Sequence, residues 1–86
     1  MSKKNEQKHT FEQKTISSIQ DIGKMVQQIR KESKLTQHHA ALLCGVTPKF
    51  LSELETGKNK HFSLRLILRV MHFFGIELVC KKRTIK

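Results

Sequence analysis

Three sets of side chains in this sequence are capable of chemistry: His38, His39 and Cys44; the Ser52-Glu53 pair; and a large excess of lysine and arginine. Adjacent His38 and His39 point to different sides of a helix and cannot hold one metal together. His39 and Cys44 lie five apart, which fits neither the facing spacing of a helix nor a zinc-finger pattern. Ser52 beside Glu53 lacks a positioned base, acids are too scarce for a paired-carboxylate site, and there is no glycine-rich phosphate loop. No enzyme activity, metal or cofactor is therefore expected. What remains is charge: 17 Lys and Arg against seven Asp and Glu, a net +10 in 86 residues. Such a balance suits a polyanionic partner, drawn in by counterion release.

The elements that would present those cations are legible from residue 37 to residue 54. Small Ala40 and Ala41 sit where two steeply crossing helices need close backbones. Gly45 falls where the chain leaves a helix with positive φ, at no Cβ penalty. Thr47 is placed to cap a second helix with Pro48 at its first position, where the missing N–H costs nothing. Leu51 and Leu54 repeat at helical spacing and would pack on Ala40, Ala41, Cys44 and Val46. This is a helix-turn-helix, and the second helix of such a unit is the one that enters the major groove of DNA.

Around it, residues 1–17 form a polar, basic arm, and as far as about Thr15 Phe11 is its only large apolar residue. That is too little to offset the entropy of ordering. The arm either runs along DNA, orders on a protein partner, or is a solvated tail. A domain of residues 18–75 follows, opening with a helix from Ser18 to about residue 33, its stripe drawn by Ile19, Ile22, Val26 and Ile29. Arg30, Lys31 and Lys34 near its end suit the helix dipole. Thr36 caps the next helix, and Thr56-Gly57 stops the one after. Cys44 and Cys80 both fall where apolar residues belong and read as buried thiols of an intracellular protein. With no apolar leader core or membrane-length segment, a cytoplasmic location is expected.

Ser63 caps a fourth helix that ends near Gly75. Leu64, Ile67, Leu68, Met71 and Phe74 form one stripe, enough to close a small core. Leu66, Val70 and Phe73 form a second stripe on another face. A helix apolar nearly all round must be buried nearly all round, so a second copy of the chain is the expected cover; redundant packing within the monomer is the alternative. Residues 76–81 read as a strand, with Ile76, Leu78 and Cys80 on one face. No second strand is visible, and a lone strand leaves unpaired donors and acceptors. Pairing with the same strand of a two-fold mate would satisfy it, leaving a basic tail at residues 82–86. Such a dimer implies a palindromic operator with half-sites about one DNA turn apart. The expected architecture is all-α, with four to five helices and this short strand crossing a dimer axis.

Leu35-Thr36-Gln37, Ala40-Ala41, Cys44-Gly45-Val46, Leu51-Ser52 and Leu54-Glu55-Thr56-Gly57-Lys58 resemble the phage-repressor-like (Cro/cI-type, XRE) helix-turn-helix family, with its lambda-repressor-like fold. Residues 63–70, followed by Phe74-Gly75-Ile76-Glu77-Leu78-Val79, resemble the HipB-type antitoxins, dimeric repressors encoded beside a HipA-type serine/threonine kinase toxin that they bind. The family resemblance implies a phosphate contact at Thr36 and Gln37, on a helix N-terminus that is independently a good phosphate site. It places base reading on Thr47, Pro48, Lys49, Phe50, Ser52 and Glu53. Lys49 would donate to guanine O6 or N7, and Glu53 would accept from cytosine N4. Phe50 and Pro48 depart from the family's usual small hydroxyl and polar residues. Phe50 either meets a thymine methyl or tucks against the core. Lys58, Asn59 and Lys60 match the phosphate-binding loop after the recognition helix, and Glu55 matches a structural acid that holds the turn or a basic neighbour.

Three functions follow: an antitoxin-type repressor that binds its operator and a HipA-like kinase, a solitary phage- or mobile-element-type repressor, or an interaction module that has lost DNA binding. Gln37, Lys49, Lys58 and the net charge argue against the last. A kinase-like gene beside this one would favour the first.

Overall fold

The computed structural model describes residues 13–58 and 62–84, so most of the expected arm, Asn59, Lys60 and the last two residues lie outside it. Among the described residues the chain is all-helical: α1 (Ile19–Glu32), α2 (Gln37–Cys44), α3 (Pro48–Thr56) and α4 (Leu64–Phe73).

Three of the four helix starts follow the same local chemistry. The hydroxyls of Thr36, Thr47 and Ser63 accept from the backbone N–H of His39, Phe50 and Leu66 at 3.0, 3.0 and 3.2 Å. Each thereby satisfies a donor that the first helical turn leaves open. Ser18 holds the cap position of α1 in extended conformation, but its side chain makes no cap bond. Asp21 reaches back instead and accepts from the Ser17 N–H at 2.8 Å.

The helix ends differ more. Gly45 closes α2 at φ 79°, and the N–H groups of Gly45 and Val46 both bond the Ala41 carbonyl. Helix α1 ends through Lys34 at φ 60°, the one non-glycine residue with positive φ among those described. The N–H of Leu35 then bonds back to the Arg30 carbonyl at 3.2 Å.

Val26, Ala40, Ala41, Leu51, Leu54 and Val70 are wholly inaccessible at the centre of the core, with Cys44, Ile67 and Met71 nearly so. Helices α1 and α3 make the most extensive contact, because Gly23 lies directly on the Leu54 carbonyl. A Cβ at Gly23 would overlap that backbone oxygen. The buried face of α1 therefore centres on Gly23, Val26 and Arg30, whereas Ile19, Ile22 and Ile29 of the expected stripe are half-buried.

Helix α4 departs from expectation in which of its faces is inside. Val70, expected at a dimer seam, is 0% exposed and belongs to the core of its own chain. Leu64 and Leu68, expected in the core, are 62% and 40% exposed, and Phe73 is 41% exposed. The core-facing set is Ile67, Val70 and Met71, at the three- and four-residue spacing of one helical face.

Beyond α4, Gly75 turns the chain at φ 73° and the Ile76 N–H bonds the Met71 carbonyl at 2.8 Å. The described residues contain no strand. Residues 76–84 are irregular, and residues 13–16, which line the same groove, form no ladder with them. Cys80, expected to be buried, is exposed on this segment, while Cys44 is buried as expected.

Candidate nucleic-acid interface

The candidate site is built where α2 and α3 begin. Gly45 and Val46 turn the chain so that Thr47, Pro48 and Lys49 open α3 at the surface, and all three are exposed. Thr36 is exposed at the start of α2. The two threonines spend their hydroxyls on their own helices, which fixes the first turn of each.

Lys49 is a well-exposed cation of this surface, its side chain 83% exposed. It lies 3.6 Å from the Glu53 carboxylate one turn on, a solvent-exposed pair worth a few tenths of a kcal/mol and easily exchanged. Ser52 and Glu53 are half-buried. Phe50 is also half-buried: it packs on the core and meets Phe62 edge-to-face with ring centroids 6.3 Å apart. Of its two expected roles, the packing one is what the free chain displays. Lys58 is exposed just after Gly57 ends α3.

Gln37 has a more specific environment than its phosphate role implied. Its Nε2 donates to Glu55 Oε1 at 2.9 Å. Glu55, whose side chain is fully buried, also accepts from Arg30 Nε at 2.7 Å and Nη2 at 3.0 Å. The same guanidinium donates through Nη1 to the Leu35 carbonyl at 2.7 Å. The Arg30–Glu55 pair thus joins α1, the α1–α2 turn, the start of α2 and the end of α3. A bidentate Arg–carboxylate pair is directional, so it sets the angle between the helices as well as their distance.

The basic neighbour of Glu55 is thereby identified as Arg30, whose position near the end of α1 had suggested only an interaction with the helix dipole. Its signal in the sequence was an arginine seven residues after Gly23 and four after Val26, on what proves to be the buried face. A second restraint acts on the turn: Arg69 of α4 donates to the Gly45 carbonyl at 3.0 Å. Gln20 of α1 reaches the Gly57 carbonyl at 3.4 Å. Both positive-φ glycines of the motif are tied down from outside it.

Burial raises the thiol pKa of Cys44, beneath this turn, above its ordinary value, which keeps it neutral and apolar. No group of three or more potential metal-ligating side chains occurs among the described residues, and no helix there is long and apolar enough to cross a membrane.

Comparison with known proteins agrees with this geometry. The helix-turn-helix family model matches residues 26–79, from mid-α1 through the residues after α4. Over 65 residues the chain is 34% identical to an uncharacterized HTH-type transcriptional regulator, y4mF, of Sinorhizobium fredii, a match covering 76% of this chain and 84% of that one. With two capped helices joined at Gly45 and an exposed Lys49 leading the second, this chain belongs to the helix-turn-helix family of transcriptional regulators.

Proposed function

We propose that this protein is a sequence-specific, dimeric DNA-binding repressor that acts as antitoxin to a HipA-like serine/threonine kinase and represses its own operon. The observation that carries the DNA reading is the exposed N-terminal turn of α3, led by Lys49, beside the exposed start of α2 on a chain of net +10. In this reading α3 lies in the major groove. Lys49 and Glu53 address base edges, with Thr47, Pro48, Phe50 and Ser52 against the groove wall. Thr36 and the amide end of α2 take one phosphate. Lys58, with Asn59 and Lys60, takes another.

Gln37 would reach a phosphate only through the part of its amide not held by Glu55. That makes Glu55 a support for the contact and not a reader of sequence.

The antitoxin assignment is supported by the resemblance of residues 63–79 to HipB-type proteins and by the exposed apolar groups that the monomer leaves uncovered. Phe73, Leu78 and Cys80 remain exposed for a second copy and Leu66 and Ile76 are half-buried, while buried Val70 is not available. Strand formation by residues 76–81 belongs to that dimer, because pairing requires the mate. The alternative reading is a solitary phage- or mobile-element-type repressor without a toxin partner.

A tagged pull-down from the native host, followed by binding of the purified material to its own promoter, separates the two. A co-purifying kinase-like protein together with promoter binding is the expected result. A promoter-binding dimer with no kinase partner would make the protein a solitary repressor.

A further inference from the structure

Residues 77–84 follow α4 exposed to solvent, and among the described residues none takes part in a backbone–backbone hydrogen bond. They share an open groove of about 880 Å³ with residues 13–16, over Ile22, Met25 and Ile29 of α1 and Met71 of α4. Leu78 and Val79 are 54% and 68% exposed there. Glu77 and Lys81 are both exposed, and neither has an ion-pair partner among the described residues.

An antiparallel pair made by two identical segments places residues of the same face opposite each other, so its two-fold axis must pass at a single residue. Three registers are available near the middle of the segment. Centring on Leu78 sets Glu77 against Val79 and leaves the charges unmatched. Centring on Cys80 sets Glu77 against Arg83 but drives Leu78 onto Lys82 and Val79 onto Lys81. Centring on Val79 sets Glu77 against the partner's Lys81, twice by symmetry. It also matches Leu78 with the partner's Cys80, and Val79 with itself; its one mismatch, Ile76 opposite the partner's Lys82, falls on a residue packed on the core of its own chain. Opposite charges and apolar pairs directly across a ladder stabilise it, and like charges there oppose it.

We infer that two copies of this chain pair their C-terminal segments antiparallel in the register centred on Val79, locked by two reciprocal Glu77–Lys81 ion pairs. This rests on the dimer reading above and gives it a residue-level register. Ile76, which packs on the core, continues the Leu78 and Cys80 face inward, while Glu77, Val79 and Lys81 share the opposite face. The segment is irregular in one chain because its partner strand is the other chain's copy.

Charge exchange tests the register. Glu77→Lys and Lys81→Glu, each alone, put two like-charge pairs in the seam and should raise the dimer dissociation constant about tenfold. The equimolar mixture of the two variants should recover native affinity as a heterodimer, as should the double variant with itself, by sedimentation equilibrium. Both residues are exposed, so unchanged helical circular dichroism verifies folding. Dimers indifferent to both single changes would overturn the register in favour of the Leu78 centre. Weakening by Glu77→Lys without rescue in the mixture would overturn it in favour of the Cys80 centre. A native chain that sediments as a monomer would overturn the dimer itself.

Discussion

Arg30 grips Glu55 through two parallel hydrogen bonds of 2.7 and 3.0 Å, with the carboxylate wholly buried and the two residues 25 positions apart in the chain. Gly23 meets the same end of α3, at Leu54 and the Glu55 Cα, so that helix α3 is fixed in angle by an ion pair and in distance by a glycine. Because Gln37 donates to the same carboxylate, the start of α2 is fixed by it as well. The helix starts proposed to face DNA are exposed, but what orients them lies inside.

Breaking one side of this pair leaves an uncompensated buried charge. Arg30→Met or Glu55→Leu alone should each cost about 3–5 kcal/mol in urea unfolding, while the double apolar replacement should recover most of that loss. Equal losses in the singles and the double would show that packing, and not charge, holds the helices.

Gly23→Ala tests the close approach. In an exposed helix this change would stabilise by up to about 1 kcal/mol through propensity. Here the added methyl meets the Leu54 carbonyl, so the expected outcome is a loss of about 1–3 kcal/mol with the α1–α3 spacing widened. A gain in the urea midpoint would place the two helices further apart than described.

Cys44 and Cys80 should separate cleanly toward a thiol reagent at protein concentrations where the chain is monomeric. Exposed Cys80 reacts at once, and buried Cys44 only on unfolding. Since burial raises the Cys44 pKa over its ordinary 9.0, its neutral form contributes fully below that value. That contribution is lost as pH climbs above it. Cys44→Ala should flatten this alkaline decline in thermal stability, and an unchanged slope would assign the decline to other groups.

The parts legible in the sequence were those decided within four or five residues. Thr36, Thr47 and Ser63 cap because a hydroxyl three residues before an N–H has little else to do, and Gly45 and Gly57 end helices because φ must turn positive. Arg30 with Glu55 was not legible as a pair, because nothing local distinguishes a buried arginine from one at a helix end. The inward face of α4 was misassigned for a different reason. Leucine and valine weigh equally in a periodic pattern, so only contact with the preceding helices shows Val70 inside and Leu64 outside. The strand was expected where the chain alone is irregular, since a ladder is a property of two segments. For the interface itself, Lys49 and Lys58 were found at the surface, whereas the tether from Gln37 to Glu55 required the fold.

Within the interface, Lys58→Ala should weaken binding to every DNA sequence alike and reduce the slope of log affinity against log salt by about 1, as loss of a phosphate contact does. Binding isotherms at several salt concentrations read this directly. A slope equal to that of the native chain would remove Lys58 from the interface.

The central claim is that α3 reads bases through Lys49, and the most direct measurement is anisotropy titration of the native chain and of Lys49→Ala on the protein's own promoter and on a scrambled duplex. The native chain should prefer the promoter, and Lys49→Ala should lose about 1–3 kcal/mol on the promoter alone, leaving the scrambled affinity in place. Equal losses on both duplexes would reduce Lys49 to a phosphate contact, and a native chain with no preference for its promoter would contradict the account.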